Sequence, residues 1–140
     1  MDTSALFAGI WSVEGGARML LRLGEAGAVQ LLVSGQVLQE IESVLRRKAP
    51  YHLGALALLL DISRIEVVPP APPDLIELCG TLTGYEADVL VLAAAWGDEV
   101  DFFVTLDKRH FLDNDALRAA VPFHIGTPGD ALAWIVQHLN

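Results

Sequence analysis

Apolar runs with helical spacing alternate along this chain with short runs typical of strands. Residues 35–48, "GQVLQEIESVLRRK", repeat apolar side chains every three or four positions, and residues 65–68, "IEVV", are strand-like and end at a proline run. We predict helices at 4–11, 14–25, 35–48, 51–63, 74–80 and 85–96, a last helix opened by "TPGD", and strands at 28–34, 65–68, 101–106 and 123–125. This alternation predicts an α/β fold, a three-layer α/β/α sandwich with a mainly parallel central sheet.

Length and composition predict one folded domain over residues 1–140. The chain is 53% hydrophobic and 19% charged, which is enough apolar material for a core and unlike a disordered chain. Its longest uncharged apolar stretch, at 89–97, is about half of what a membrane span needs. The N-terminus lacks the basic start and apolar core of a signal peptide, so we expect a cytoplasmic protein without membrane association.

The net charge of −9 argues against tight, non-specific binding to nucleic acid. The basic segment "RRK" at 46–48 is an exception to the acidic balance. We favour a role at a helix C-terminus, opposing the helix dipole, over a role in phosphate contacts.

Several acidic residues stand where the predicted strands end or the helices begin. Asp107 follows a predicted strand, at the end where ligands bind in parallel α/β sheets, whereas Asp101 begins that strand and belongs to the opposite edge. Asp2 precedes the first predicted helix, so capping that helix is the simpler explanation for it and a site role the alternative.

The helix at 85–96 begins with two acids, Glu86 and Asp88, and only Glu86 has a simple structural explanation. Thr83 and Glu86 have the spacing of a capping box, which accounts for Glu86. Asp88 lies in the first turn of a helix that is apolar on all sides thereafter, and burial would raise its pKa. An unexplained carboxylate of this kind is a candidate site residue.

Two further acids, Glu40 and Glu42, flank the apolar stripe of the helix at 35–48 on opposite sides. Helical geometry alone does not choose between them, and most acids in such positions are simply solvated.

Taken together, these positions resemble the PIN-domain family of metal-dependent nucleases. The resemblance is carried in order by "DTSALFAGI", "VLQEIESVLRRK", "DVLVLAAAW" and "FFVTLDKRHF", and it extends to the closing "FHIGTPGDALAWI". It identifies Asp2, Glu40, Asp88 and Asp107 as the four family acids and leaves Glu42 outside.

The resemblance implies that these four acids are catalytic and bind metal. Clustered carboxylates repel one another unless a cation neutralises them or some take up protons, and oxygen ligands favour Mg²⁺ or Mn²⁺. Asp2, Asp88 and Asp107 would hold the metal directly or through waters, and Glu40 would bind or orient the attacking water.

Two residues near the fourth acid are secondary candidates. Thr105 is expected to position Asp107 or a water, or to be an ordinary strand residue. Arg109 stands where many relatives carry another acid, and it is a candidate phosphate contact. We expect His110 at the surface or behind the ligands rather than on the metal.

The implied function is a metal-dependent endoribonuclease that leaves a 5′-phosphate and a 3′-hydroxyl. Small relatives serve as toxins restrained by an antitoxin protein, so RNA and an antitoxin are the expected partners. A homodimer is also expected, since "LGALALLL" at 53–60 is more apolar than one helix face requires. The alternative is a PIN-like nucleic-acid-binding or dimerisation module that does not cut. A phosphoryl-accepting receiver domain fits less well, because "IEVVPP" lacks an acceptor aspartate.

Overall fold

The computed structural model describes residues 1–139 and shows the predicted α/β fold. Its helices are α1 (Thr3–Trp11), α2 (Gly16–Glu25), α3 (Gly35–Lys48), α4 (Leu53–Ile62), α5 (Pro73–Leu82), α6 (Glu86–Gly97), α7 (Asp115–Ala120) and α8 (Pro128–His138). Its strands are β1 (Leu32–Ser34), β2 (Glu66–Val68), β3 (Phe102–Val104) and β4 (His124–Gly126). A 3-10 turn, Pro50–His52, precedes α4, and a π-helical turn, Lys108–Leu112, precedes α7.

The four strands form two parallel pairs, β1 with β2 and β3 with β4. The first two residues of the chain lie between the pairs, where the nitrogen of Met1 donates to the Leu32 carbonyl (2.9 Å) and the Asp2 amide to the Val104 carbonyl (3.0 Å). The order is therefore β2, β1, residues 1–2, β3, β4. This order places Asp2 in the middle of the sheet, beside the residues that follow β3.

Helices α3 and α6 pack on β1, and α8 packs on β3 and β4. Helix α3 buries the apolar stripe Val37, Ile41 and Leu45, as its sequence periodicity predicts. Helix α6 buries an unbroken run, Val91–Ala95, because it is enclosed on several sides. No helix within residues 1–139 has the length and apolar character to cross a membrane.

Two predicted strands are shorter than expected, each for a local reason. The strand predicted at 28–34 begins only at Leu32, because α2 ends in a Schellman motif with Gly27 at φ 75° and an Ala28 amide bonded to the Leu23 carbonyl (2.9 Å). Strand β3 ends at Val104 instead of residue 106, since the Leu106 amide bonds to the Ser4 hydroxyl (3.0 Å).

The predicted capping box at Thr83 and Glu86 is wrong. Helix α6 begins at Glu86, with Tyr85 as its N-cap residue, and Thr83 is buried two positions before that cap. The last helix, predicted to open at "TPGD", is confirmed, and it begins with a capping box in which Thr127 caps α8 and exchanges hydrogen bonds with Asp130.

Candidate active site

Asp2 lies at the N-cap of α1 and is almost fully buried. Its Oδ1 accepts hydrogen bonds from the Ala5 amide (3.0 Å) and the Ser4 hydroxyl (2.8 Å), and its Oδ2 accepts one from the Thr105 hydroxyl. Capping therefore accounts for Oδ1 but not for Oδ2. The second oxygen ties the start of the chain to the end of β3.

Thr105 connects two of the predicted acids. Its side chain is completely buried, and its hydroxyl donates to Asp2 while accepting a hydrogen bond from the Asp107 amide (3.0 Å). An ordinary strand threonine has no such pair of partners. These hydrogen bonds distinguish Thr105 from an ordinary strand threonine and link Asp2 to the backbone of Asp107.

Asp107 stands where the chain leaves β3 and enters the π-helical turn. Its Oδ1 caps this turn by accepting from the His110 amide (3.0 Å). The cap returns the chain toward the cavity, so that the His110 ring lies beside the carboxylate, with Nδ1 3.3 Å from Asp107 Oδ2. The residue is half-buried and keeps both a structural contact and access to solvent.

Asp88 occupies the third position of α6, and its side chain is only 18% exposed. The Nδ1 atom of His110 lies 2.6 Å from Asp88 Oδ2, within ion-pair distance. Apart from this contact, Asp88 Oδ2 is buried and has no hydrogen-bond partner in the described chain. Buried polar atoms without partners are rare and call for an explanation such as an ion or water.

Burial raises the pKa of Asp88, and the negative charges of Asp107 and Asp2 raise it further, while the contact with His110 opposes them. The ionised carboxylate is thus costly in this position. A positive charge in the cavity would offset that cost.

Glu40 and Glu42, which the helical pattern alone did not separate, have different surroundings. Glu40 accepts hydrogen bonds from the Thr3 hydroxyl and the Gln36 amide (3.2 Å), which fix its carboxylate near the start of α1. Glu42 is exposed and forms an ion pair with Arg46 one turn along the helix.

All four predicted acids line one cavity of about 500 Å³ at the carboxyl end of the strands. The lining residues are Asp2, Thr3, Ser4, Phe7, Glu40, Val44, Lys48, Asp88, Val91, Asp107 and Phe111. Glu42 and Asp101 are not among them, and neither is Arg109, which is exposed.

The ligand atoms of this cavity are of the kind that a hard divalent cation prefers, but the distances between the described side chains are too long for three of them to share one ion. The acids offer carboxylate oxygens, the ligands that Mg²⁺ and Mn²⁺ prefer, and Asp88 contributes a buried oxygen whose contact is with His110. Within residues 1–139, however, no three His, Cys, Asp or Glu side chains lie close enough to share one ion. The His110 ring lies against Asp88 and Asp107.

His110 was expected at the surface or behind the acids, and the structure places its ring against Asp88 and Asp107. Tyr85 stacks on its ring, with centroids 3.7 Å apart and planes at 14°, and this stack holds the imidazole in place. The available signal was the three-residue spacing from Asp107, which places amide and ring on the same turn. The contact between Tyr85 and His110 joins two separate elements, and no local sequence pattern predicted it.

The comparisons with known proteins agree with this geometry. A family model described as PIN domain matches residues 1–109, which include all four acids. The chain has no significant match among curated proteins or solved structures. The match spans well over half of the sequence, and the chain belongs to the PIN domain family.

Proposed function

We propose that this protein is an endoribonuclease that depends on Mg²⁺ or Mn²⁺. PIN domains are generally nucleases, which gives the reaction class. The observation that carries the finer proposal is the convergence of Asp2, Glu40, Asp88 and Asp107 on one cavity at the carboxyl end of the sheet.

In this proposal Asp2, Asp88 and Asp107 hold the metal directly or through waters, with Glu40 beside them. When bound, the ion supplies charge stabilisation at the scissile phosphate and lowers the pKa of a coordinated water. The buried Oδ2 of Asp88, which has only the His110 contact, and the raised pKa of its carboxyl group support a cation in this position.

The remaining side chains orient these groups. Thr105 fixes Asp2 relative to Asp107, while Thr3 and Gln36 hold the Glu40 carboxylate so that it can orient the attacking water. Lys48 lines the same cavity and offers a cation to the substrate phosphate. In-line attack by water would leave a 5′-phosphate and a 3′-hydroxyl.

Biologically, we propose a cytoplasmic toxin of a toxin–antitoxin pair, active as a homodimer and restrained by an antitoxin protein. The support is by analogy with small PIN-domain relatives. Helix α4 adds a physical reason for a protein partner, because it buries Leu56 but leaves the side chain of Leu58 exposed.

A non-catalytic nucleic-acid-binding module is the second candidate. It is favoured by the spacing of the acids, of which no three in the described chain can share an ion, and by the imidazole that lies against Asp88 and Asp107. This candidate predicts RNA binding without metal-dependent cleavage.

The test is cleavage of pooled cellular RNA in Mn²⁺, Mg²⁺ or EDTA, followed by sequencing of new ends. We expect cuts with the wild type in metal alone, and a loss of roughly 100-fold or more in Asp88→Asn. Asp101→Asn, which changes an exposed acid at the other end of β3, is the matched control and should cut normally. Equal cutting by wild type and Asp88→Asn, or none by either, would refute the nuclease proposal.

A further inference from the structure

The imidazole of His110 lies against two of the four acids that a metal centre in this cavity requires. Its Nδ1 atom is 2.6 Å from Asp88 Oδ2 and 3.3 Å from Asp107 Oδ2. A ring nitrogen this close to a carboxylate oxygen carries a hydrogen, because two lone pairs at that distance would repel each other. In that form Nδ1 has no lone pair for a metal ion, so the ring covers the two oxygens and is not a ligand beside them.

The oxygens that the ring covers are the ones that a cation would use. Asp107 Oδ1 accepts a hydrogen bond from the His110 amide (3.0 Å), so Oδ2 is the oxygen that remains for an ion, and the ring faces it. Asp88 Oδ2 is otherwise buried. Because Mg²⁺ binds carboxylate oxygens at about 2.1 Å, an ion on these two atoms would need the space that the imidazole occupies.

The His110 ring and its backbone are held by different contacts. Tyr85 stacks on the ring, with centroids 3.7 Å apart and planes at 14°. The backbone belongs to the π-helical turn, in which the Leu112 amide donates to the Asp107 carbonyl (3.1 Å) and the buried Phe111 side chain anchors the turn in the core. The turn is therefore fixed, and the Tyr85 stack is the contact that keeps the side chain over the acids.

The stacked rings lie at the surface of the protein and not in its core. The His110 side chain is 24% exposed, and Tyr85 is 43% exposed. A change of side-chain rotamer can therefore carry the imidazole into solvent while the turn stays in place. Helical turns of the π type are rare and occur frequently at functional sites, which agrees with a side chain that has two positions.

We propose that His110, stacked on Tyr85, closes the cavity to a divalent cation, and that the ion binds Asp88 and Asp107 only after the imidazole has swung out. This inference rests on the proposed function, because it concerns the metal of the same cavity. It accounts for a set of acids that converges on one cavity although no three described side chains lie close enough to share an ion. Because the closed form does not bind the ion, the apparent affinity is reduced by the fraction of molecules that are open.

Calorimetric titration of the metal-free protein with Mn²⁺ tests this without any measurement of cleavage. His110→Ala should bind Mn²⁺ about fivefold or more tightly than the wild type, because the closed form is lost. Tyr85→Ala should tighten binding by less, since the imidazole keeps its contacts with the acids, and Tyr85→Phe, which keeps the stack, should bind as the wild type does. His138→Ala is the matched control, because His138 also stacks on an aromatic ring, Trp134 at 4.0 Å, but lines the cavity at the other end of the sheet. It should leave the affinity unchanged.

A second measurement uses the wild type and so does not depend on the folding of a variant. The face of Tyr85 shifts the proton resonances of the stacked imidazole upfield, and Tyr85→Ala identifies the size of that shift. Saturating Mg²⁺, which is diamagnetic, should move the His110 ring resonances downfield as the stack is lost. An imidazole that stays stacked in saturating Mg²⁺, or equal or weaker Mn²⁺ binding by a folded His110→Ala, would overturn the inference. Weaker binding would make His110 a ligand instead.

Failure of this inference is distinguishable from failure of the nuclease proposal. If the wild type binds Mn²⁺ and cuts RNA but His110→Ala binds the ion no more tightly, the nuclease stands and His110 does not close the site. If His110→Ala binds Mn²⁺ more tightly but neither protein cuts RNA, the closing role of His110 stands and the nuclease proposal fails. If neither protein binds the ion, the inference fails together with the metal centre.

Discussion

The two ends of the sheet each carry a cavity of about 500 Å³ and a set of acids, yet they differ in how those acids are held. At the carboxyl end, Asp2 and Asp107 accept hydrogen bonds from hydroxyl and amide groups, and Glu40 is fixed by Thr3 and Gln36. At the opposite end, Asp98, Glu99 and Asp101 line the cavity but are all exposed.

None of the three acids at the opposite end has a side-chain hydrogen bond or ion pair within the described chain. They lie in and beside the turn between α6 and β3, where water solvates them at no cost. The comparison teaches that a count of acids does not define a site. Fixed orientation and partial burial do, because they make a carboxylate both positioned and in need of a cation.

The largest change short of removing an acid should come from Thr105→Val, which keeps the shape of the side chain and removes its hydroxyl. Asp2 loses a donor and the Asp107 amide loses its acceptor, both in a buried place. We expect RNA cleavage to fall about 10-fold to 100-fold and the free energy of unfolding by about 1–3 kcal/mol. Single-turnover cleavage and denaturant unfolding measure the two effects.

Two controls make the Thr105 result specific. Thr105→Ser keeps the hydroxyl and should retain most of the activity. Thr81→Val removes an exposed hydroxyl that bonds to the Leu78 carbonyl in α5 and should leave cleavage unchanged. If Thr105→Val cuts as well as wild type, the bridge between Asp2 and Asp107 has no functional role.

A smaller effect is expected from Asp130, an acid beside the carboxyl end of β4 that belongs to no site. Hydrogen bonds from Thr127 lower its pKa below the unfolded-state value of about 3.9. The ionised carboxylate therefore stabilises the fold above that value, and this stabilisation is lost as the pH falls through the folded-state pKa. Asp130→Asn should lower the free energy of unfolding at pH 7 by about 0.5–1 kcal/mol and leave cleavage intact.

The pH dependence separates this capping role from a general loss of stability. Unfolding curves of wild type and Asp130→Asn should converge as the pH is lowered through the folded-state pKa of Asp130. A difference that is constant with pH would contradict the assignment of the effect to the ionised carboxylate.

Local pattern predicted the regular part of the fold well. Helix α3 has the predicted bounds, 35–48, because its apolar period, its Ser34 cap and the following proline all act over a few residues. Helix α7, with only six residues, was not predicted although Asn114 caps it. The Thr83 prediction failed because Thr83 is the C-cap residue of α5, and its hydroxyl accepts from the Tyr85 amide (3.4 Å) before α6 begins.

The sequence predicted which acids line the candidate site, but not the hydrogen bonds and contacts that link them to other residues. The PIN-domain resemblance selected four acids that the structure places around one cavity. The bridge from Thr105 to Asp2 joins residues 103 positions apart. The contact of His110 with Asp88 likewise depends on how separate elements meet, which spacing in one segment does not encode.

The most direct test of the central claim, that the carboxyl-end cavity is the metal centre, is calorimetric titration of the metal-free protein with Mn²⁺. Wild type and Asp101→Asn should bind the ion with the same affinity, and Asp88→Asn should bind it at least about tenfold more weakly. Equal binding by all three proteins, or a loss only in Asp101→Asn, would contradict the claim and move the metal away from the four acids.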